Sequence, residues 1–274
     1  MNIRDWSSDV CSSDLVLVLF LAVFGEQLAP YPHTETDILN AMLPAVFVDG
    51  GDNARLLGTD QLGRDTLSRL LYALRVTVLI AFMGTGIGAV LGTLLGMIAS
   101  QARGLVEDVI MMAVDIQASL PFLVFALTAL AVFGNSFTVL LLVVGINGWE
   151  GYARLTRGMT LSILERDYVL AAHSLGITRL RLYWRYILPN ILSALIVQLS
   201  LTLAGTILLE SALSFLGLGV QQPMTSLGTM LGDGRDFLLF DPWQAMIPGS
   251  VIFGIILAVS LLGDWLRDAL DPSI

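Results

Sequence analysis

The segment VTVLIAFMGTGIGAVLGTLLGMI occupies residues 76–98 and contains 23 consecutive uncharged residues. A helix needs about 20 apolar residues to cross the roughly 30 Å hydrocarbon core of a bilayer, so the segment predicts a transmembrane helix. Five glycines recur along it: Gly84, Gly86, Gly88, Gly92 and Gly96. Small residues at this spacing let membrane helices approach closely. The sequence therefore predicts a tightly packed neighbouring helix, with a hinge as the alternative.

Four further segments predict membrane helices, although the second of them is short. They cover residues 109–133, 137–149, 187–209 and 245–263. A sixth candidate begins at Leu15 but reaches Glu26 after 11 apolar residues, so it spans a bilayer only if its last residues lie at the interface. The predicted fold class is therefore an all-α, polytopic membrane protein with five clear transmembrane helices and a truncated or atypical first one.

The composition agrees with a membrane protein and excludes several kinds of chemistry. Apolar residues make up 55% of the chain and charged residues 14%, whereas a soluble domain is nearer a quarter charged. All 14 basic residues are arginine, which excludes a P-loop ATPase or a Schiff-base enzyme within this chain. One cysteine and two histidines predict no metal site. A net charge of −9 argues against nucleic acid as a partner.

The arginine distribution predicts which ends of the helices face the cytoplasm. Residues 154–186 contain six of the 14 arginines, and placing this loop inside puts nine of them on the cytoplasmic side, as the positive-inside rule favours. Residues 15–75 then comprise the first membrane helix and an extracytoplasmic loop, and residues 76–274 form the main transmembrane domain. Residues 1–14 are acidic and lack a cationic start, so we interpret them as an atypical N-terminus, with an artefact of sequence assembly as one explanation.

The cytoplasmic loop contains the sequence ERDYVLAAHSLGITRLRLYWR at residues 165–185. Asp167 suits the first turn of a short helix, where the partial positive charge of the helix favours an acid. Ala171 and Ala172 leave a patch without large side chains where another surface can approach. Gly176 can adopt the left-handed conformation that ends the helix. The loop is either an interfacial connector or a docking element, and its length favours docking.

A second helix is predicted after the glycine. Thr178 is expected to cap it, and Tyr183, Trp184 and Tyr186 suit the membrane interface. Pro189 should kink or start the helix that enters the membrane.

These residues resemble the cytoplasmic "EAA" signature of bacterial ABC-importer permeases. The matching positions are Ala171, Ala172, Gly176, Leu188 and Pro189. Leu170 occupies the usual position of the acid, and Tyr186 that of an isoleucine, but Asp167 stands three residues earlier, as in peptide-type permeases. The loop therefore resembles the peptide-type branch of the family.

Three other segments are similar to signatures of the dipeptide/oligopeptide/nickel permeases. They are LGTDQLGRDTLSR at 57–69, LSFLGLG at 213–219 and LGDWLRDALDP at 262–272. Leu227 stands where that family usually has tryptophan before Gly228. The resemblance covers roughly residues 30–274 and implies the type I ABC importer permease fold, with six spans in the family.

The resemblance implies a multi-pass subunit of the bacterial cytoplasmic (inner) membrane, which is not an enzyme. Its expected partners are a second permease subunit, two ATP-binding subunits, an extracytoplasmic substrate-binding protein and the lipid bilayer. No cofactor is expected in this chain, because ATP would bind to the partner subunits. The residues expected to couple to the ATPases are Asp167, Tyr168, Val169, Ala171, Ala172, Gly176, Leu188, Pro189 and Asn190.

A secondary transporter and an intramembrane protease are the alternatives to an importer subunit. A secondary transporter without an ATPase partner would show inverted repeats and interrupted spans, and the halves of this sequence show no repeat. An intramembrane protease would need a nucleophile or metal motif, and the sequence contains none. The implied substrates are di- or oligopeptides or a related small solute such as nickel or glutathione, and the sequence does not distinguish among these.

The remaining polar residues near the spans have mainly structural interpretations. Asp115 could line a pathway or pack at the interface. Glu210 and Asp264 are expected to mark span ends, and His173 to lie on the surface. Thr59, Asp60 and Asp65 are expected to cap the start of the 76–98 helix, with Arg64 and Asp65 as a neighbouring ion pair.

Overall fold

The computed structural model describes residues 3–48 and 50–270, with side chains from Val16 onward except at 170 and 173. This part of the chain is helical and contains no β-strand. The α-helices are α1 (Ile3–Leu28), α2 (Thr66–Ala102), α3 (Leu105–Ser119), α4 (Phe122–Phe133), α5 (Phe137–Gly145), α6 (Trp149–Leu164), α7 (Asp167–Ser174), α8 (Arg179–Leu182), α9 (Leu188–Phe215), α10 (Leu227–Arg235) and α11 (Trp243–Leu270). A 3₁₀ turn covers Ile38–Asn40 and a π-helical turn covers Tyr183–Ile187. We call the end of the bundle where α2 begins the outer end, and the end where α2 finishes the inner end.

The central helix is α2, and its glycines let the backbone of a neighbouring helix approach closely. A Cβ at Gly92 would lie 2.2 Å from the carbonyl oxygen of Trp149, and one at Gly96 would lie 2.5 Å from that of Ala153. Gly84 and Gly88 approach the end of α5 and the turn before α6 in the same way. The predicted tight neighbour is therefore confirmed, and it is the α5–α6 pair, which runs alongside α2.

Among the described residues, three continuous helices are long and apolar enough to cross a membrane, against the five clear spans predicted. They cover Thr66–Ala102, Arg179–Phe215 and Trp243–Leu270. The predicted span 109–133 is instead two helices, α3 and α4, bent by 95°. The cause is Pro121, which has no N–H to donate and keeps the preceding Leu120 extended, at φ −92° and ψ 137°.

The boundary of the arginine-rich loop differs from the prediction. The short predicted span 137–149 corresponds to α5, and after a turn the chain continues as α6 to Leu164. Arg154 and Arg157 therefore lie on a helix, where Arg154 pairs with Asp115 at 3.1 Å and Arg157 with Glu107. Because these acids come from α3, the arginines join α3 to α6, and the loop begins at Glu165 rather than at 154. The contact of Asp115 supports its packing role.

Helix α1 packs against α2 and α11 through its apolar second half. Ala22 is buried there, and Gly25 lies against Leu71. Glu26 pairs with Arg75 of α2. The apolar stretch of α1 with described side chains is Val16–Leu28, and the interpretation of residues 1–14 as an atypical N-terminus lies outside the described side chains.

The outer segment before α2 is held by buried ion pairs. Asp60 pairs with Arg64 at 2.7 Å and also with Arg69, which in turn reaches Asp233 of α10 at 3.0 Å. Asp65 caps α2 by accepting a hydrogen bond from the backbone N–H of Ser68 at 2.8 Å. Of the three predicted caps only Asp65 is confirmed, because Thr59 bonds to Asn40 and Asp60 to the arginines. The predicted Arg64–Asp65 pair is wrong, because Asp60 also accepts the backbone N–H of Arg64 and so folds the chain back onto itself.

Glu210 is buried inside the bundle and does not mark a span end as predicted. Helix α9 continues to Phe215, so Glu210 is one turn inside it, fully buried and accepting a hydrogen bond from the Ser214 hydroxyl at 2.7 Å. Ser226 at the start of α10 donates to Ser214 at 3.1 Å. This polar cluster joins α9 to α10. Asp264 is also inside a helix, α11, but it is exposed.

The environment of His33 should make the stability of the folded chain depend on pH. His33 stacks on Tyr72 with ring centroids 3.7 Å apart. Partial burial lowers its pKa from the ordinary 6.5, opposed by Glu26 and assisted by Arg69 and Arg64. The folded state therefore favours the neutral ring. Its contribution to stability is complete above pH 6.5 and is lost as the pH falls from 6.5 through the lower pKa of the folded state.

Thermal unfolding of the purified chain at about pH 7.5 and about pH 5.5 tests this expectation. The wild type should lose more stability on acidification than His33→Phe, which keeps an aromatic ring against Tyr72 but does not titrate. Equal losses in the two proteins would contradict the assignment.

Candidate functional site

The chain forms a helical hairpin at the inner end, between α6 and α9. Helix α7 begins at Asp167, directly after the turn that closes α6, and carries that acid in its first turn as predicted. The chain reverses at Gly176 and continues through α8 and the π-helical turn into α9, so that Arg179–Phe215 is one continuous helix. The predicted short helix before the glycine and the second helix after it are confirmed, and the second is the beginning of the long Arg179–Phe215 helix.

Gly176 ends α7 by adopting the left-handed conformation, with φ +78°. The N–H of Ile177 donates to the carbonyl of Ala172 at 3.4 Å, and the N–H of Leu175 donates to that of Ala171 at 3.1 Å. The hydrogen bond from Ile177 to Ala172, which closes around the left-handed glycine, is that of the Schellman motif, in which the last carbonyls of a helix are satisfied. The predicted helix stop is confirmed.

One side of the hairpin is anchored in the bundle. Val169 is 1% exposed and Ala172 is 6% exposed, and both pack with buried residues of α6, α8, the π-helical turn and α9. The buried members of this cluster are Tyr152, Ile163, Val169, Ala172, Leu182, Tyr183, Ile187, Ile191 and Leu195. Since the cluster includes the start of the Arg179–Phe215 helix, α7 is packed against the helices that it would have to move.

The side of α7 next to the anchored one carries exposed apolar residues. Tyr168 is 46% exposed and Leu175 is 84% exposed, and Ala171 between them is also exposed. Residues three and four positions apart share one side of a helix, so Tyr168, Ala171 and Leu175 lie in a row, which we call the α7 face. An exposed apolar row beside the anchoring cluster is typical of a surface that another protein covers.

Six of the nine predicted coupling residues lie on α7 and the turn after it, and three lie at the start of α9. The exposed ones are Asp167, Tyr168, Ala171, Gly176, Pro189 and Asn190. Val169 and Ala172 are buried and Leu188 is half-buried, so the expectation of a bare patch formed by both alanines holds only for Ala171. Ala172 is turned inward by its packing in the anchoring cluster. The side chains of Leu170 and His173, which the sequence analysis also considered, lie outside the described ones.

Two helix starts can be compared with their predictions. Pro189 lies in the first turn of α9, as expected, directly after the π-helical turn that joins α9 to α8. The π-helical turn before it closes with a hydrogen bond from the Leu188 N–H to the Tyr183 carbonyl. Thr178 occupies the position before α8, but its side chain accepts no capping bond there.

Leu175 is the surface residue that the sequence analysis missed. Its position directly before the helix-ending Gly176 could have indicated its exposure, because no further turn of α7 follows to cover an apolar side chain there. The exposed fraction of 84% makes it the most exposed member of the α7 face.

Substitutions at Gly176 should separate the backbone requirement from the surface. No described atom lies within 4 Å of a Cβ placed there, so Gly176→Ala should cost about 1 kcal/mol through the left-handed backbone alone. Gly176→Asn should cost less, because asparagine tolerates this conformation. Hydrogen exchange at the Ile177 amide checks the effect: it should accelerate more in the alanine variant than in the asparagine variant, and the reverse order would contradict the Schellman assignment.

Comparison with known families gives a match over most of the transmembrane region. Residues 88–274 match the family described as binding-protein-dependent transport system inner membrane component.

Individual relatives match over nearly the whole chain. The chain is 39% identical to the di/tripeptide transport system permease protein DppC of Pseudomonas aeruginosa, over 95% of this chain and 86% of the relative. It is 41% identical to the dipeptide transport system permease protein DppC of Escherichia coli strain K12, over 95% and 87%. The glutathione transport system permease protein GsiD of Pectobacterium atrosepticum is 34% identical, over 95% and 85%.

Solved structures share the fold. An inward facing form of the MetNI methionine ABC transporter matches with a TM-score of 0.60, 16% identity and coverage of 74% of this chain and 96% of that one. A second match is an amino acid ABC transporter with histidines, with a TM-score of 0.55, 18% identity and coverage of 73% and 94%. The chain therefore has the helical fold of ABC importer permeases.

Proposed function

The chain belongs to the family of binding-protein-dependent transport system inner membrane components, and we propose that it is the permease subunit of an importer for di- or oligopeptides. Family membership makes it a multi-pass bacterial inner-membrane protein and a component of an ABC importer. Such a component works with a second permease subunit, an ATPase and a substrate-binding protein.

The peptide substrate is supported by the names of its relatives. The relatives at 39% and 41% identity are permeases named for di/tripeptides and dipeptides. They are more similar to this chain than the reported glutathione permease. Peptides are therefore the first class of substrate to test.

Energy for transport comes, in this proposal, from two ATP-binding subunits that contact the α7 face. The chain has no lysine and so cannot form the lysine-containing phosphate loop that binds ATP. The single observation that carries the proposal is the arrangement of α7, which is exposed along the row of Tyr168 and Leu175 and anchored through Val169 on the adjacent side. A push on the exposed side would reach α6 and the Arg179–Phe215 helix through the anchoring cluster.

Movement of α7 would then re-pack the spans and open the pathway to alternate sides of the membrane, as in other rigid-body switches. Hydrolysis would take place in the partner subunits, and this chain would not be an enzyme. The break between α3 and α4 interrupts one span, but the similarities give no support to a secondary transporter without an ATPase.

Growth on peptides tests the proposed substrate. In a leucine-auxotrophic strain of the source organism, deletion of the gene for this chain should abolish growth on a leucine-containing dipeptide and leave growth on free leucine unchanged. The plasmid-borne wild type should restore growth, and growth of the deletion strain on di-, tri- and longer peptides alike would contradict a peptide importer.

A further inference from the structure

An apolar groove runs along the outside of the bundle between α2 and the Arg179–Phe215 helix. It encloses about 280 Å³ and is lined mainly by Val90, Leu94 and Met97 on one side and Leu188, Leu192 and Ile196 on the other. The lining extends from Trp184 to Leu199, which at 1.5 Å per residue is about 22 Å along the helix. This length exceeds the roughly 15 Å depth of one leaflet of the hydrocarbon core.

The inner end of the groove is aromatic and then cationic. Trp184 is 61% exposed at that end, and tryptophan prefers the level of the lipid headgroups. Arg181 precedes Trp184 by three residues, and Arg185 precedes Leu188 by three, so both arginines lie on the side of the helix that continues into the groove.

Both arginines are free to bind an external anion. Arg181 and Arg185 are exposed, and neither forms an ion pair with any described carboxylate. By contrast, Arg154 and Arg157 on the neighbouring α6 are both paired. The uncompensated positive charge is therefore concentrated where the groove reaches the headgroup level.

We propose that this groove binds one anionic phospholipid of the cytoplasmic leaflet, with an acyl chain between α2 and α9 and the phosphate at Arg181 and Arg185. The apolar lining matches the chain, the exposed Trp184 matches the glycerol level, and the two arginines match the anionic headgroup. Every anionic lipid places a negative charge at the level of these arginines. A protein helix in the groove would do so only if it had an acidic residue at that end.

The site also lies against the coupling hairpin. Leu188 and Leu195 belong both to the groove and to the cluster that anchors α7. A lipid in the groove would therefore support the same stretch of helix to which α7 is attached, and its loss should loosen the anchor.

Native mass spectrometry of the detergent-purified full chain tests the proposal. The chain is titrated with palmitoyl-oleoyl-phosphatidylglycerol and with the phosphatidylcholine that has the same acyl chains. One phosphatidylglycerol should bind more tightly than phosphatidylcholine. Arg181→Gln with Arg185→Gln should lower its affinity about thirtyfold, which corresponds to about 1 kcal/mol for each arginine near the membrane surface. Arg103→Gln with Arg267→Gln removes two other exposed arginines and should change little.

A second variant tests the groove itself. Leu192→Trp fills the groove and should remove the bound lipid of either class. The control is Leu257→Trp on α11, which should leave lipid binding unchanged. The two leucines are similarly exposed, 49% for Leu192 and 47% for Leu257. Equal binding of the two lipids, or equal loss in both double-arginine variants, would overturn the proposal. So would displacement of the lipid by the second permease subunit, because the groove would then be a subunit interface.

Discussion

Arginine in place of Ala171 is expected to release the ATPase subunits from the complex while the membrane subunits stay folded. Ala171 is exposed at the middle of the α7 face, between Tyr168 and Leu175. A long cation there would hold a docked surface away from the small side chain and would have to be desolvated without a partner. We expect at least a tenfold loss of ATPase retained with the affinity-purified permease, equivalent to about 1.4 kcal/mol or more.

The matched control is Ala269→Arg. Ala269 is also an exposed alanine near the inner end of a helix, α11, but it is far along the chain from the α7 face. This variant should retain the ATPase at the wild-type level. Equal retention in the wild type and in Ala171→Arg would show that α7 is not the docking element.

Among glycine-to-alanine substitutions in the helices of the bundle, Gly92→Ala is expected to lower the stability most. A Cβ at this position would meet the carbonyl oxygen of Trp149 at 2.2 Å and the Cβ of Tyr152 at 2.7 Å. Because the first contact is backbone, it cannot be relieved by a rotamer change, and α2 and α6 must separate. Overpacking of this kind costs about 2 kcal/mol or more, which should lower the melting temperature in detergent by about 5 °C or more.

Gly86→Ala provides the control on the same helix. No described atom lies within 4 Å of a Cβ at Gly86, and alanine has the higher helix propensity. This variant should be neutral or slightly stabilised. Similar destabilisation of both variants would mean that the glycines act through helix flexibility and not through the close contact with α6.

The sequence predicted three of the spans, those in α2, α9 and α11, because burial in lipid requires long uninterrupted apolar runs. It was less accurate for α6, since the charges of Arg154 and Arg157 are typical of a loop. The acids that neutralise them, Asp115 and Glu107, come from α3. A distant partner of this kind cannot be identified from the local pattern. Pro121 interrupted the predicted 109–133 segment, and the structure bends by 95° there.

In the candidate site, too, some features follow from the local sequence and others depend on contacts between distant segments. The roles of Asp167 and Gly176 follow from the ends of one short helix, so spacing alone was sufficient to predict them. Which of Ala171 and Ala172 faces outward depends on the cluster that Tyr183 and Ile187 complete. The burial of Glu210 likewise depends on α10, which is a separate helix of the chain.

Uptake into proteoliposomes tests the central claim most directly. The chain, its partner permease and the two ATPases are reconstituted, the binding protein and a radiolabelled dipeptide are added outside, and ATP is enclosed. We predict uptake that requires enclosed ATP and is abolished by Ala171→Arg but not by Ala269→Arg. Uptake that proceeds without the ATPases under a proton or sodium gradient would contradict the account and would make the chain a secondary transporter.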